Sequence, residues 1–177
     1  MLLPLTVLDI QHILVQLDAV NGFIEEIEAE MAKALERIPC SMRILSMKGL
    51  GVVTVVGLIG EVGDFSKFRT QSEIMKLAGL DLYEISSGKR KGQKRISKRG
   101  RSLLRKILYN AAISTIRKNG IMCTQYAKLI DRGMKRTSAL IVIAKKLLRI
   151  IHAMLRDGRD YTCTYEFPKR VVIKKAA

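Results

Sequence analysis

The chain has 177 residues with few aromatics and three prolines, enough apolar sequence for one domain with an appendage, and its composition excludes wholesale disorder. Its formal net charge is +16, which points to a polyanionic partner, either nucleic acid or an acidic membrane surface. Cys40, Cys123 and Cys163 are far apart with no C-x-x-C pair, and His12 and His152 are isolated, which excludes a zinc site and a disulfide framework and fits a reducing cytoplasm.

The charge is unevenly placed. Residues 1–38 sum to −5, residues 39–88 to 0, and residues 89–177 to +21. A membrane is the weaker partner. The apolar run from Gly49 to Gly60 is too short to span a bilayer, and the run from Ala139 to Leu155 is interrupted by Lys145, Lys146 and Arg149. No basic stretch precedes Met1-Leu2-Leu3, so no secretory signal is expected.

Residues 5–38 are predicted to form one long helix. Ile10, Leu17, Ile24, Met31 and Ile38 fall on heptad position a, and Ile13, Val20, Ile27 and Ala34 on d. At about 1.5 Å per residue such a helix reaches roughly 50 Å. The stripe reads either as a coiled-coil oligomerisation arm or as one helix of an intramolecular hairpin. Pro39 should end it.

Two short helices, Ser41 to Lys48 and Val52 to Glu61, then flank the turn Lys48-Gly49-Leu50-Gly51. This region, about 41–63, looks like a helix-hairpin-helix. In that motif the backbone N–H groups of the turn and of the second helix's start face a phosphate, which makes Gly49 and Gly51 candidate nucleic-acid contacts. An ordinary glycine-rich connection is the alternative. Asp64 or Ser66 can cap the next turn, and Phe65 and Phe68 should pack inward. A helix from Ser72 to Ala78 is closed by Gly79.

A basic serine loop is expected over residues 84–100. Ser86-Ser87-Gly88 opens it, and Lys89 to Lys106 holds ten Lys or Arg and no acid. Lys89, Arg90, Lys98, Arg99 and Arg105 are candidate nucleic-acid contacts, because guanidinium and ammonium groups crowded this way demand a polyanion. A hydroxyl beside such cations could attack phosphorus; a loop that only grips the backbone is the plainer reading. Helices are expected next at about 102–118, with Leu103, Ile107, Ala111 and Ser114 inward, and at 122–132. The last, capped by Thr137 or Ser138, runs to Arg156 with Leu140, Ile143, Leu147 and Ile151 inward and its cations on a solvated face. His152 should pack at this helix's edge. The fold class is therefore all-α: a coiled-coil helix over 1–38, a helical domain over 41–161 and a basic tail over 162–177.

Several of these pieces occur in one order: Gly49-Leu50-Gly51-Val-Val-Thr54, Gly60-Glu61-Val-Gly63-Asp64, Ala78-Gly79-Leu80, Ser87-Gly88, Ile96-Ser97-Lys98-Arg99-Gly100, Ala144-Lys145-Lys146-Leu147-Leu148 and Leu155-Arg156-Asp157-Gly158. Together they resemble the C-terminal domain of the IS116/IS110/IS902-type transposases, the bridge recombinases. The resemblance implies DNA transposition through a serine nucleophile on a DNA phosphodiester, mapping to Ser87 with Ser86 as the neighbouring alternative. It also implies a guide RNA, and a separate RuvC-like acidic domain that binds magnesium. The chain departs from the family there. Asp9, Asp18 and the glutamates of residues 25–30 lie on the long helix and do not resemble a metal constellation. No cofactor is expected in this chain, and by itself it should bind DNA without cutting it. A non-catalytic nucleic-acid-binding helical module is the second reading.

Overall fold

The computed structural model describes residues 3–84, 94–117 and 119–161. The mainly helical fold expected from the sequence is present. Helix α1 (Leu3–Glu36) is followed by α2 (Ser41–Leu45), α3 (Val52–Val62), a 3-10 turn (Phe65–Lys67) and α4 (Gln71–Leu77). Strands β1 (Leu82–Glu84) and β2 (Lys94–Ile96) come next, then α5 (Ser102–Thr115), α6 (Cys123–Asp131) and α7 (Arg136–Asp157). The weak alternation of residues 80–85 contains β1; β2 has no such signal, and in the ladder Leu82 pairs with Ile96 and Tyr83 with Arg95 in antiparallel register.

Helix α1 stops before Pro39. A residue preceding proline is pushed out of the helical region, and the chain tightens through Ile38 N–H to Leu35 O at 2.9 Å. Leu35 is buried in the body of the domain, whereas residues 6–30 are exposed on every face. The hydroxyl of buried Ser41 is shared between the carbonyls of Leu35 and Ile38, at 2.6 and 2.7 Å, and so ties α1 to the start of α2. Among the described residues no element covers the stripe over residues 6–30, while its last turns meet α2 and α3.

Helix α7 is the centre of the core. Leu140, Ile143, Leu147, Ile151 and Met154 are buried as their spacing predicts. Helix α5 packs on α7 and α3, while α4 and α6 pack on α7. The buried face of α5 differs from the predicted one by one residue. Leu104, Leu108, Ala111, Ala112 and Thr115 are inward, and Leu103 is 53% exposed. The hydroxyl of Thr115 donates to Ala111 O at 2.9 Å, so its polarity is satisfied within the helix and it can be buried. The start of α7 also differs. Its N-cap is Lys135, and neither Thr137 nor Ser138 caps it. The expected cap at Asp64 is present, accepting from Ser66 N–H at 2.9 Å. His152 is buried and not at an edge; its Nε2 lies 2.8 Å from Phe68 O, and its Nδ1 has no partner among the described residues.

A close backbone contact joins the end of α4 to the start of α5. Arg101 N–H donates to Leu77 O at 2.8 Å, and Lys98 N–H to Gly79 O at 3.0 Å. A Cβ on Gly100 would fall 2.3 Å from both Gly79 N and Leu77 O. Gly100→Ala should therefore cost about 3 kcal/mol or more, since only backbone could give way. Gly60→Ala, on an exposed part of α3 with nothing within 4 Å of the new methyl, should instead stabilise by about 0.5–1 kcal/mol. Urea denaturation of the two variants tests both signs.

Candidate nucleic-acid interface

The first site is the turn between α2 and α3. Gly49 has φ +101°, a backbone state that L side chains rarely adopt, and a Cβ there would also press on Thr115 Cγ2 at 3.2 Å. Gly51 is the N-cap of α3 and brings no capping side chain. The first-turn N–H groups of α3 are thus left for solvent or a ligand, at the positive end of the helix dipole. Lys48, Gly49, Leu50 and Gly51 face Ser114, Arg117, Asn119 and Gly120 across a cavity of about 500 Å³. The predicted Gly49 and Gly51 are brought together with two cations, Lys48 and Arg117, that sequence reasoning missed. Arg117 comes from the end of α5, far along the chain, and only the packing of α5 on α3 delivers it. Asn119, at φ +64°, holds the reversal beyond α5.

The second site is the base of the β1–β2 ladder. Ser86, Ser87, Lys89 and Arg90 lie outside the described residues, as does the tail over 162–177. Lys98 and Arg99 are exposed just after β2, and Lys98 sits at φ +55°. Arg105 is half-buried, and its Nη1 donates to Ala78 O at 3.1 Å. Its guanidinium therefore supports the end of α4, with its other N–H groups still able to meet a phosphate. Arg101 Nη1 donates to Glu61 O at 2.6 Å and ties α5 to α3. Two groups on one side of the ladder thus act as scaffold, and Lys98 and Arg99 remain as outward cations.

Residues 41–127 match the family described as Transposase IS116/IS110/IS902. The chain carries a transposase domain of this family. It is 31% identical over 145 residues to the "Insertion element IS110 uncharacterized 43.6 kDa protein" of Streptomyces coelicolor, an alignment covering 82% of this chain and 36% of that protein. It is 32% identical over 151 residues to the "Transposase for insertion sequence element IS1111A" of Coxiella burnetii, covering 82% of this chain and 40% of the relative. The chain thus spans well under half the length of these curated relatives. The matched stretch of the transposase domain runs from α2 into α6 and includes both the glycine turn and the segment that holds Ser86 and Ser87.

Among the described residues of the transposase domain, no group of three or more His, Cys, Asp or Glu could hold a metal ion. Cys40 and Cys123 are free, half-buried thiols. No helix of the described residues is long and apolar enough to cross a membrane. The face of α7 that the sequence assigned to solvent is only partly solvated. Burial holds the Lys145 ammonium below its ordinary 10.5; Arg149 adds to the effect and Asp81 opposes it. Burial alone lowers Lys146. A lysine depressed in the folded state gives up its proton first there, so the unfolded chain binds more protons in between. Stability should then rise with pH across the interval between the depressed values and 10.5. NMR titration of the Nζ groups should show both midpoints below 10.5 in the folded chain, moving to about 10.4 in urea.

Proposed function

We propose that this chain is the DNA-gripping part of an insertion-sequence transposase, and that it carries a serine nucleophile for strand exchange. The observation that carries the reading is the family match over residues 41–127, which holds the glycine turn and the serine segment in one domain. The basic cavity at the start of α3 supports it, because uncapped N–H groups, Lys48 and Arg117 together suit a phosphate of the DNA backbone. This is the arrangement that a helix-hairpin-helix uses. Lys98 and Arg99 would meet further phosphates, and Arg105 would do so while holding α4.

In the chemical step the Ser87 hydroxyl attacks a phosphodiester phosphorus. A bond forms from Oγ to phosphorus and the bond to the leaving sugar oxygen breaks. The serine proton ends on the released hydroxyl. The product is a phosphoserine-linked DNA strand. A serine hydroxyl is a poor nucleophile without activation. No acidic cluster in the described residues fits magnesium, so activation is assigned to a separate RuvC-like domain. A guide RNA that directs the DNA target belongs to the same proposal. The second reading is a nucleic-acid-binding module without chemistry of its own, favoured by that same lack of an acidic cluster.

When the chain is combined with such an acidic domain, its RNA and magnesium, a denaturing gel should show protein covalently joined to labelled DNA. Ser87→Ala should remove that adduct while binding persists, and Ser86→Ala should be milder. An adduct retained in Ser87→Ala would transfer the role to Ser86 or Ser97. Without those additions the chain should bind DNA and leave it uncut. Replacing Lys98 and Arg99 with Ala should lower the slope of log K against log salt by about 0.9 for each phosphate left without its cation.

Helix α1 is proposed as the oligomerisation arm. Ile10, Leu17 and Ile24 are 58%, 53% and 48% exposed, and such a stripe is hidden by a second copy in a coiled coil. Leu17→Lys with Ile24→Lys would place charge in that seam and should convert an oligomer to monomer in sedimentation. A wild-type chain that stays monomeric at every concentration would remove this assignment.

A further inference from the structure

Three helices that are remote in sequence meet at a cleft on the far part of the basic half. One lobe, of about 410 Å³, is lined by Gln71, Gln125, Val142, Lys145, Lys146 and Arg149. A second, of about 350 Å³, shares Gln71, Lys145 and Arg149 and extends to Ser72, Asp81 and Leu82. Gln71 begins α4, Gln125 lies on α6, and the three cations lie on α7. The shared residues make the two lobes one continuous groove. It runs up to the start of β1, the strand that leads into Ser86 and Ser87.

The chemistry of the groove is one-sided. Lys145 and Arg149 are four residues apart on one helical face, where like charges repel. Lys145 and Lys146 are half-buried, and no carboxylate among the described residues pairs with any of the three cations within 4 Å. Asp81 is the acid at the groove's edge and acts on Lys145 only at longer range. Lys146 Nζ instead donates to Gln125 Oε1. That bond orients the carboxamide, leaving its NH2 as a further donor. Gln71 brings a second carboxamide. Donors therefore dominate the lining. Solvated surface lysines would keep their ammonium groups in water and their ordinary pKa. Here burial and mutual repulsion already disfavour the charged state, and an anion would relieve both.

We propose that the α4–α6–α7 groove is a phosphate-binding site that holds the backbone of a nucleic-acid strand, with Arg149 as the forked donor and Lys145 and Lys146 as point charges. This rests on the reading of the chain as a nucleic-acid-binding transposase part. It adds a contact surface separate from the glycine turn and from Lys98 and Arg99. Two adjoining lobes that share Gln71, Lys145 and Arg149 suit a strand, which presents successive phosphates, over a single free anion. The lobe nearer β1 ends at Asp81 and Leu82.

The experiment uses the full chain, with labelled DNA and RNA oligonucleotides of the same sequence and with inorganic phosphate as separate probes. The triple variant Lys145→Gln, Lys146→Gln, Arg149→Gln removes the three charges while keeping polar side chains. Thermal melting checks that it folds. Binding of the preferred oligonucleotide should weaken at least tenfold at low salt, and the log–log salt slope should fall by about 2–3, near 0.9 for each phosphate no longer neutralised. In the wild type, the same oligonucleotide should shift the Nζ signals of Lys145 and Lys146. Arg149→Lys, which keeps the charge and loses the fork, should fall between the two. The stronger of the DNA and RNA arms identifies the strand. An unchanged affinity and slope in the folded triple variant would overturn the groove as a site while leaving the nucleic-acid reading intact. Shifts of Nζ by inorganic phosphate with none from either oligonucleotide would overturn the strand as ligand. A wild-type chain that binds neither oligonucleotide would overturn both readings.

Discussion

The backbone clasp between Gly79 and Gly100 is the constraint on which the basic half of the molecule depends. At this point the chain leaves α4, makes the β1–β2 ladder and returns to start α5. Exit and entry are pressed together: Lys98 N–H reaches Gly79 O, Arg101 N–H reaches Leu77 O, and Arg105 Nη1 reaches Ala78 O. No side chain fits between the two glycines. The ladder is only three residues long on each strand, and a two-stranded ribbon of that size does not hold itself together in water. Its anchorage is the clasp. The course of the two strands is set by how closely α4 and α5 approach here.

The same clasp explains why the basic residues of this region serve two roles. A run of Lys and Arg without acids reads as a single electrostatic feature in the sequence. In the fold it divides. Arg101 and Arg105 spend donors on Glu61 O and Ala78 O, carbonyls near the ends of α3 and α4. Those positions carry the partial negative charge of the helix termini, so a guanidinium stabilises them. The side chains of Lys98 and Arg99 face outward from the clasp. Arginine suits the dual role because its five N–H donors let it hold a carbonyl and still offer a fork.

Most helices were legible because glycine and proline punctuate them and because α7 carries an unambiguous apolar period. Where two readings of a pattern competed, the sequence chose less well. In α5 the adjacent leucines 103 and 104 offer two faces, and the correct one contains Thr115, whose hydroxyl is hidden by a bond to its own helix. Residues 80–85 alternate weakly, but the strand that pairs with them was not legible, because Lys94-Arg95-Ile96 has almost no apolar content; backbone pairing alone defines it. The candidate site shows the same limit. Gly49 and Gly51 could be read locally, since turn chemistry is local. Arg117 and Asn119 could not, because they reach that cavity through the packing of α5 on α3. Lys145 and Lys146 read as a solvated face together with Arg149, which is exposed; the sequence has no means of showing that the two lysines are half-buried or that Gln71 and Gln125 line the same groove.

The division of charge along the chain matches the division of shape. The acidic first 38 residues form α1, which leaves the body near Leu35 and exposes an apolar stripe with glutamates around it. The described residues from Ser41 to Tyr161 form the compact part, around a core built on α7. Residues 1–38, of net charge −5, would be drawn onto the cations of the compact part if attraction alone decided their course. Screening reduces such attraction to about 8–10 Å in physiological salt, whereas most of α1 lies farther away than that along a rise of about 1.5 Å per residue. The stiffness of a continuous helix thus holds most of the acidic surface beyond the reach of that attraction. Gly22, the one weak point in the middle of α1, meets nothing within 4 Å. A kink there would redirect only the residues before it, Asp9 and Asp18 among them, while Glu25, Glu26, Glu28, Glu30 and Glu36 would keep their course.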